Sequence, residues 1–446
     1  MRIQLLILIT ILSINLGYSQ EQSYSFTLQE AIQFALENNY SVINAKRDIS
    51  DAQNQKWETI AGGLPQINGA ISYQNQLKQP VSLLPAELAG GEPGTFIPVV
   101  FSQPQSATAT ATLTQQIFDG SYIVGVQATK AFLSYSANNK EKTDLDVRKQ
   151  VVEAYGNVLL AEESVAILEK NKTTLEKNVY ETAKLFENGL GEEESVDQLQ
   201  ITLSTIENQL ANAIRLKEIT LQMLNLSMGL DLNAPTQLQE RLEDLTVSKM
   251  DLNILSADFN INDNVDYKLA ENLNEQRYFE WKLAKSRALP TLNAFVNYGS
   301  SAYSSNFDFF DGDQQWFDSS IMGFDLNIPI FSSLKRSAST QRAKIALEKA
   351  KTQLTEAEQQ IRLQVENAKN NYTLAIANYE TAKQNLTLSE RIENKNQIKY
   401  TEGLATSFEL RQAQTQLYTT QQEFLQSMVE VINKKTELEI ILNTKA

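Results

Sequence analysis

The chain has 446 residues, of which 42% are hydrophobic and 21% charged, a formal charge of −15, and neither Cys nor His. Lacking both types, it has no disulfides, no thiolate or imidazole metal sites, no Cys nucleophile and no His-dependent triad. An acidic chain with no evident basic patch is also a poor nucleic-acid binder.

Arg2, the apolar run from Ile3 to Leu16 and the small residues offered by Gly17-Tyr18-Ser19 predict a signal peptide over 1–19. No later stretch approaches the roughly 18 unbroken apolar residues of a spanning helix, so any membrane crossing must use strands. Without Cys there is no lipid anchor through an N-terminal cysteine.

Thr27, with Glu30 in the capping-box position, opens a helix expected from about Leu28 to Ala61, with Ile32, Leu36 and Ile43 at helical spacing. Ile67, Gly69, Ile71 and Tyr73 alternate with Asn68, Ala70, Ser72 and Gln74, and Thr108 to Thr114 alternate with Ala107 to Leu113. Both runs read as strands, joined by a Pro- and Gly-rich loop over about 79–105. A helix without Pro then runs from about Tyr122 to Asn188, on the order of 100 Å at 1.5 Å per residue. Gly189 is placed to stop it in the left-handed conformation. The chain returns with Glu192, Glu193 and Glu194 in the first turn of the next helix, where its dipole favours acids.

The same plan is then repeated. Leu64-Pro65-Gln66-Ile67 returns as Leu289-Pro290-Thr291-Leu292, and without a gap Asn39-Tyr40 aligns with Asn264-Val265. Gln116-Ile117-Phe118 returns as Pro329-Ile330-Phe331, and Glu187-Asn188-Gly189-Leu190 as Thr401-Glu402-Gly403-Leu404. Gln198 then matches Gln412 and Leu203 matches Leu417. Four matches in one order indicate a duplication. The expected domains are a first repeat over 20–229, a linker over 230–262 and a second repeat over 263–446.

In the second copy, strands are expected at Leu292 to Tyr298, where Phe295 breaks the alternation, and at Met322 to Ile330. The loop between them, about 304–320, mixes Phe307, Phe309, Phe310, Trp316 and Phe317 with four aspartates, and suits a solvated external loop anchored by aromatics. Ser332-Ser333-Leu334-Lys335 fits an S-x-x-K pattern but has no S-D-N or K-T-G partner, so it reads as a turn. Nothing points to catalysis. The second long helix, about Lys335 to Glu402, carries a heptad seam: Ala350, Leu354, Ala357, Ile361, Val365, Ala368, Tyr372, Ala375, Tyr379, Ala382 and Leu386. One extra step of four separates Ile361 from Val365, a stutter that relaxes supercoiling. Small seam residues suit a closely packed wall of helices, though an ordinary coiled coil has the same period. Gly403 stops this rod, and Thr406 with Glu409 opens the return.

Strands of about 9–11 residues suit a tilted membrane sheet, although a half-buried soluble sheet alternates in the same way. Four strands in lipid would leave two open edges, so several chains would have to share one barrel.

Phe26-Thr27-Leu28-Gln29-Glu30-Ala31-Ile32, Asn38-Asn39-Tyr40, the two Leu-Pro pairs, Asn188-Gly189-Leu190 and Glu402-Gly403-Leu404 together resemble TolC-like outer-membrane efflux proteins. The resemblance runs from about Tyr24 to the C-terminus. It implies a mainly α fold with a membrane β-barrel portion: duplicated helical hairpins in a periplasmic α-barrel, and four strands per chain in a shared trimeric barrel. It further implies a non-enzymatic, cofactor-free exit duct of a tripartite efflux or type I secretion system, in the outer membrane of a Gram-negative cell with a large periplasmic part. The implied partners are two further copies, a periplasmic adaptor (membrane fusion protein), an inner-membrane transporter and outer-membrane lipid, with no nucleic acid. Asp231 to Asp258 would form an equatorial segment. Glu409 and Gln412, with Glu193 and Asp197 on the first hairpin, would line the periplasmic gate, Gln412 departing from the family's acidic pattern. Gly189, Leu190, Gly403 and Leu404 would meet the adaptor. The competing class is a periplasmic coiled-coil adaptor or structural interaction protein without a pore; two hairpins in one chain weigh against it.

Overall fold

A computed structural model describes residues 24–443, and the signal peptide expected over 1–19 lies outside the described residues. In chain order the elements are β1 (Tyr24–Phe26), α1 (Leu28–Asn38), α2 (Tyr40–Ala61), β2 (Gln66–Asn75), β3 (Ser82–Pro85), β4 (Phe96–Val99), β5 (Gln105–Asp119), α3 (Gly120–Glu187) and α4 (Glu193–Met228). They continue with β6 (Thr236–Leu238), α5 (Leu242–Lys249), α6 (Val265–Ser286), β7 (Thr291–Ser304), β8 (Trp316–Asn327), α7 (Lys335–Thr401) and α8 (Ser407–Leu442), with short 3-10 turns between some of them. Two compact units result, one from residues up to 49, 135–271 and from 353 onward, the other from 50–134 and 272–352.

The expected opening helix is two helices. Asn39 sits between them at φ −62 and ψ 135, outside helical geometry. Its buried side chain explains the break: the amide donates to the Ser227 carbonyl (2.7 Å) and its oxygen accepts from Ser41 N–H (2.8 Å). Tertiary bonding outweighs the local helix propensity. The device recurs at Asn264, which donates to the Ile441 carbonyl (3.0 Å) and accepts from Asp266 N–H (3.0 Å). Gly229 and Asn443, which end α4 and α8, both adopt left-handed φ (81 and 51).

In the first unit the α7 seam is buried or half-buried at each expected position from Leu354 to Leu386 that falls within it. Its tyrosines do more than fill space. Tyr372 hydroxyl accepts from Asp251 N–H (3.0 Å), tying the rod to the segment after α5, while Tyr379 stacks on Phe424. Tyr155 on α3 donates to the Phe26 carbonyl (3.1 Å), and burial pushes its phenol well above the usual range. The linker is held at three further points: parallel pairing of β1 with β6, Leu28 N–H to the Glu240 carboxylate (2.6 Å), and Leu242 and Leu245 in the core with Leu224, Met228 and Ile432. Each such buried side chain contributes about 1.5–3 kcal/mol.

The second unit holds an antiparallel sheet in the order β2-β5-β7-β8. Directly paired residues share a face, so the register sorts the side chains. Ile67, Leu113, Val296 and Met322 align across one face, as do Leu292 with Leu326 and Ala294 with Phe324. Asn68, Thr112, Asn297 and Ile321 align across the other, with Ser72, Thr108 and Ser301, and Asn293 with Asp325. One face is predominantly apolar, with Ser300, Asp318 and Ser320 toward its loop end, and the other is predominantly polar. Phe295, the break in the alternation, lies on the polar face opposite Gly323, where its ring occupies the space a Cβ would need. The sheet does not close on itself: β2 and β8 are its edges.

Two boundaries differ from expectation. β8 begins at Trp316 and ends at Asn327, so Ile328 and Ile330 lie outside it. Its partner β7 starts at Thr291 after Pro290, and Pro329 has no N–H to offer a ladder. Arg336 instead donates to the Pro329 and Ile330 carbonyls (2.9 and 3.3 Å). The loop expected over 79–105 contains the β3–β4 hairpin. The second loop is anchored by rings: Tyr73 packs edge-on against Phe307 and Phe309.

Candidate channel gate at the hairpin tips

Both rods end as their glycines dictate. Gly189 and Gly403 take φ of 74 and 71, and the following leucines, Leu190 and Leu404, stand 76% and 79% exposed. Leu190 N–H donates to the Leu185 carbonyl and Leu404 N–H to that of Lys399, closing each helix in the same way. Two apolar side chains thus project from the tips into water.

Beyond the second tip, Glu409 and Thr406 form a capping box. Thr406 N–H donates to the Glu409 carboxylate (2.8 Å), and Glu409 N–H donates to the Thr406 hydroxyl (3.2 Å). These bonds hold the Glu409 carboxyl below the usual carboxylate range, so the exposed group is charged at neutral pH. Gln412 is exposed on the same helix, in a shallow groove with Phe408, Arg411 and Thr415. Glu193 and Asp197 are exposed at the start of α4. These four side chains do not bond to one another in this chain. Where the return helices approach, Ser407 hydroxyl meets Ser195 hydroxyl (3.0 Å) and the Gln198 carbonyl oxygen (3.4 Å). Sequence reasoning passed over both serines, and the only signal was register: Ser195 matches Glu409 in the duplication.

Further from the tips the packing turns polar. Asn178 and Gln397 exchange two hydrogen bonds (3.0 and 3.1 Å), Asn171 donates to Gln421 (2.9 Å), and Thr182 pairs with the Tyr400 hydroxyl (2.7 Å). Glu393 is half-buried, and burial raises its carboxyl above the usual range, partly offset by the Gln414 amide and the Lys170 charge. Gln414 itself is fully buried, with neither amide atom in a hydrogen bond of normal geometry. No group of three or more carboxylates converges as a metal site among the described residues.

Paired helical hairpins and a two-faced, open-edged sheet are the parts from which a membrane channel can be built. Residues 31–230 and 272–444 match the outer membrane efflux protein family, and the chain belongs to it. The fold agrees with three solved structures. These are CusC (16% identity, TM-score 0.73, covering 96% of this chain and 95% of that one), VceC of Vibrio cholerae (16%, 0.70, 93% and 95%) and CmeC of Campylobacter jejuni (17%, 0.71, 96% and 90%). No curated protein sequence matches the chain. It is an outer-membrane efflux channel of a Gram-negative cell.

Proposed function

We propose that three copies of this chain close one barrel and one tunnel, and that an inner-membrane transporter delivers cargo into that duct through a periplasmic adaptor. The observation that carries the proposal is the sheet, largely apolar on one face, largely polar on the other and unpaired at β2 and β8. Each backbone group left unsatisfied in hydrocarbon costs several kcal/mol, so such edges need partners. Further copies supply them, and the Asn- and Thr-lined face becomes the lumen. Gly189-Leu190 and Gly403-Leu404 are the adaptor contacts. Glu409 and Gln412, with Glu193 and Asp197, line the constriction, and the functional domains divide at 229 and 262.

Outer-membrane fractions left unheated are expected to run as a trimer on a semi-native gel; a monomer in the soluble periplasmic fraction overturns the assembly. Glu409→Gln retains a capping acceptor and removes the charge, so it isolates the gate role from the cap. In planar bilayers it is expected to weaken cation blockade, and single-channel behaviour identical to the unmodified protein removes Glu409 from the gate.

A further inference from the structure

Where the membrane sheet joins its helices, the charge is opposite to that of the chain as a whole. Between Arg277 and Pro290 stand Arg277, Lys282, Lys285 and Arg287 against a single acid, Glu280; between Ile328 and Leu347 stand Lys335, Arg336, Arg342 and Lys344 with no acid. The loop at the other end of the sheet, residues 305–315, holds three aspartates and no cation. A total of −15 therefore conceals a basic collar on one side of β7 and β8. It is not inherited from the duplication: in the gapless register, Lys282, Lys285 and Arg287 correspond to Trp57, Ile60 and Gly62.

Few of these cations are engaged with acids. Arg277 pairs with Glu280 (2.7 Å) and Lys344 approaches Glu348 (3.9 Å). Among the described residues no carboxylate lies within ion-pair distance of Lys282, Lys285, Arg287, Lys335 or Arg342. Two of them lie over rings, Lys282 Nζ 4.7 Å from the centre of Tyr278 and Lys285 Nζ 4.8 Å from that of Trp281. The turn after β8 holds Ser333 and Leu334 at φ 47 and 64, a region that bulky side chains avoid. Ile330, Phe331 and Leu334 around that turn are largely exposed, directly before Lys335 and Arg336. Exposed apolar residues next to the sheet, then cations free of acids whose stems lie against aromatic rings, suit the headgroup region of a bilayer.

We propose that Lys282, Lys285, Arg287 and Lys335, with Tyr278 and Trp281, seat anionic phospholipid headgroups of the periplasmic leaflet, while Ile330 and Phe331 enter the acyl boundary. The proposal rests on the bilayer placement of the strands, whose ends the collar directly adjoins in the chain. A chain keeping Trp281 as its sole tryptophan (Trp57→Phe, Trp316→Phe) is reconstituted in bilayers of phosphatidylcholine with brominated phosphatidylglycerol, or with brominated phosphatidylcholine. Trp281 quenching then reports which lipid occupies the collar. Phosphatidylglycerol is expected to be preferred about fivefold, the factor that one interfacial cation contributes on an anionic surface. Lys282→Gln/Lys285→Gln/Arg287→Gln brings the ratio close to one. Lys177→Gln/Lys217→Gln/Lys395→Gln, an equal charge loss within the first unit, leaves it unchanged, and a semi-native gel confirms that all variants assemble. Equal quenching by the two lipids, or a preference that survives the collar replacement, overturns the proposal. Absence of quenching by either lipid instead removes the bilayer placement, and the collar with it.

Discussion

Replacing Glu439 by Gln removes the carboxylate that Arg148 and Lys435 share. Glu439 lies 3.0 Å from Arg148 and 3.2 Å from Lys435, and the three side chains are 8%, 15% and 11% exposed. Removing one member of a buried pair costs about 3–5 kcal/mol, chiefly because the charge left behind stays buried. The slight exposure of Arg148 favours the lower end, about 3 kcal/mol, or roughly a hundredfold in a local opening constant. Lys249, whose ammonium is already held below its usual range by burial, loses the attraction of Glu439 and is lowered further. Hydrogen exchange read by mass spectrometry on the assembled protein should show peptides at the end of α8 and over 242–256 opening about a hundredfold more often. Glu437→Gln is the control, because its pair with Lys434 is about one-third exposed and contributes at most about 1 kcal/mol. Arg148→Met/Lys435→Met/Glu439→Leu, which removes all three charges, should recover most of the protection. Equal exchange in Glu439→Gln and Glu437→Gln would refute the reasoning.

Further substitutions have worked signs. Glu393 has a folded-state pKa above its unfolded value, so its neutral form is stabilising, and that contribution declines as pH rises through the folded pKa. Glu393→Gln should therefore raise the heat-dissociation temperature at pH 7 and leave it unchanged at pH 4, below the ordinary carboxylate value; an equal rise at both would contradict this. Asn39→Ala and Asn264→Ala each remove a buried donor and a helix-opening acceptor, and each should cost about 1–3 kcal/mol in urea-induced loss of helix. Gly403→Ala meets no atom within 4 Å, so its penalty is backbone alone, about 1–2 kcal/mol, visible as faster tryptic cleavage at Lys399 and Arg411. Gly312→Ala, equally uncrowded and without a left-handed φ, should show no loss.

What could be read before folding was what is locally encoded. Both capping boxes, the two left-handed glycines and the α7 seam rest on spacings of three, four and seven residues, and the structure keeps all of them. The duplication foretold that Asn39 and Asn264 correspond, but not that each would open a helix through a buried amide, Asn39 by breaking one. Those amides need Ser227 and Ile441, carbonyls 188 and 177 residues away in sequence. The end of β8 depends likewise on where β7 begins, and the β3–β4 hairpin on pairing within a segment whose prolines signal only a loop. The cluster around Glu439 joins α3 to α8 and leaves no pattern in either. At the tips, Glu409 was legible as a cap, whereas the contact of Ser195 with Ser407 needed the two hairpins side by side.

The first rod changes character along its length. Val147, Val151 and Val158 lie in the main core of the first unit, whereas closer to the tip Asn171, Asn178 and Thr182 are buried, the first of them between Leu168 and Leu175 along the rod. Parting an apolar contact costs about 25 cal/mol for each Å2 exposed, with no compensation from water. Parting an amide pair exchanges its bonds for water at a net cost of only about 0.5–1.5 kcal/mol per bond. Buried polar pairs also fix register, because a shifted helix strands an amide without a partner. The tip half is therefore specified in alignment without being strongly held together, which suits the gate proposed there. Asn178→Leu/Gln397→Leu exchanges the doubly bonded pair for an apolar contact and should hold the tips together more firmly. The expected result is a lower open probability in planar bilayers with unchanged trimer stability, and an open probability equal to that of the unmodified channel would separate the polar seam from gating.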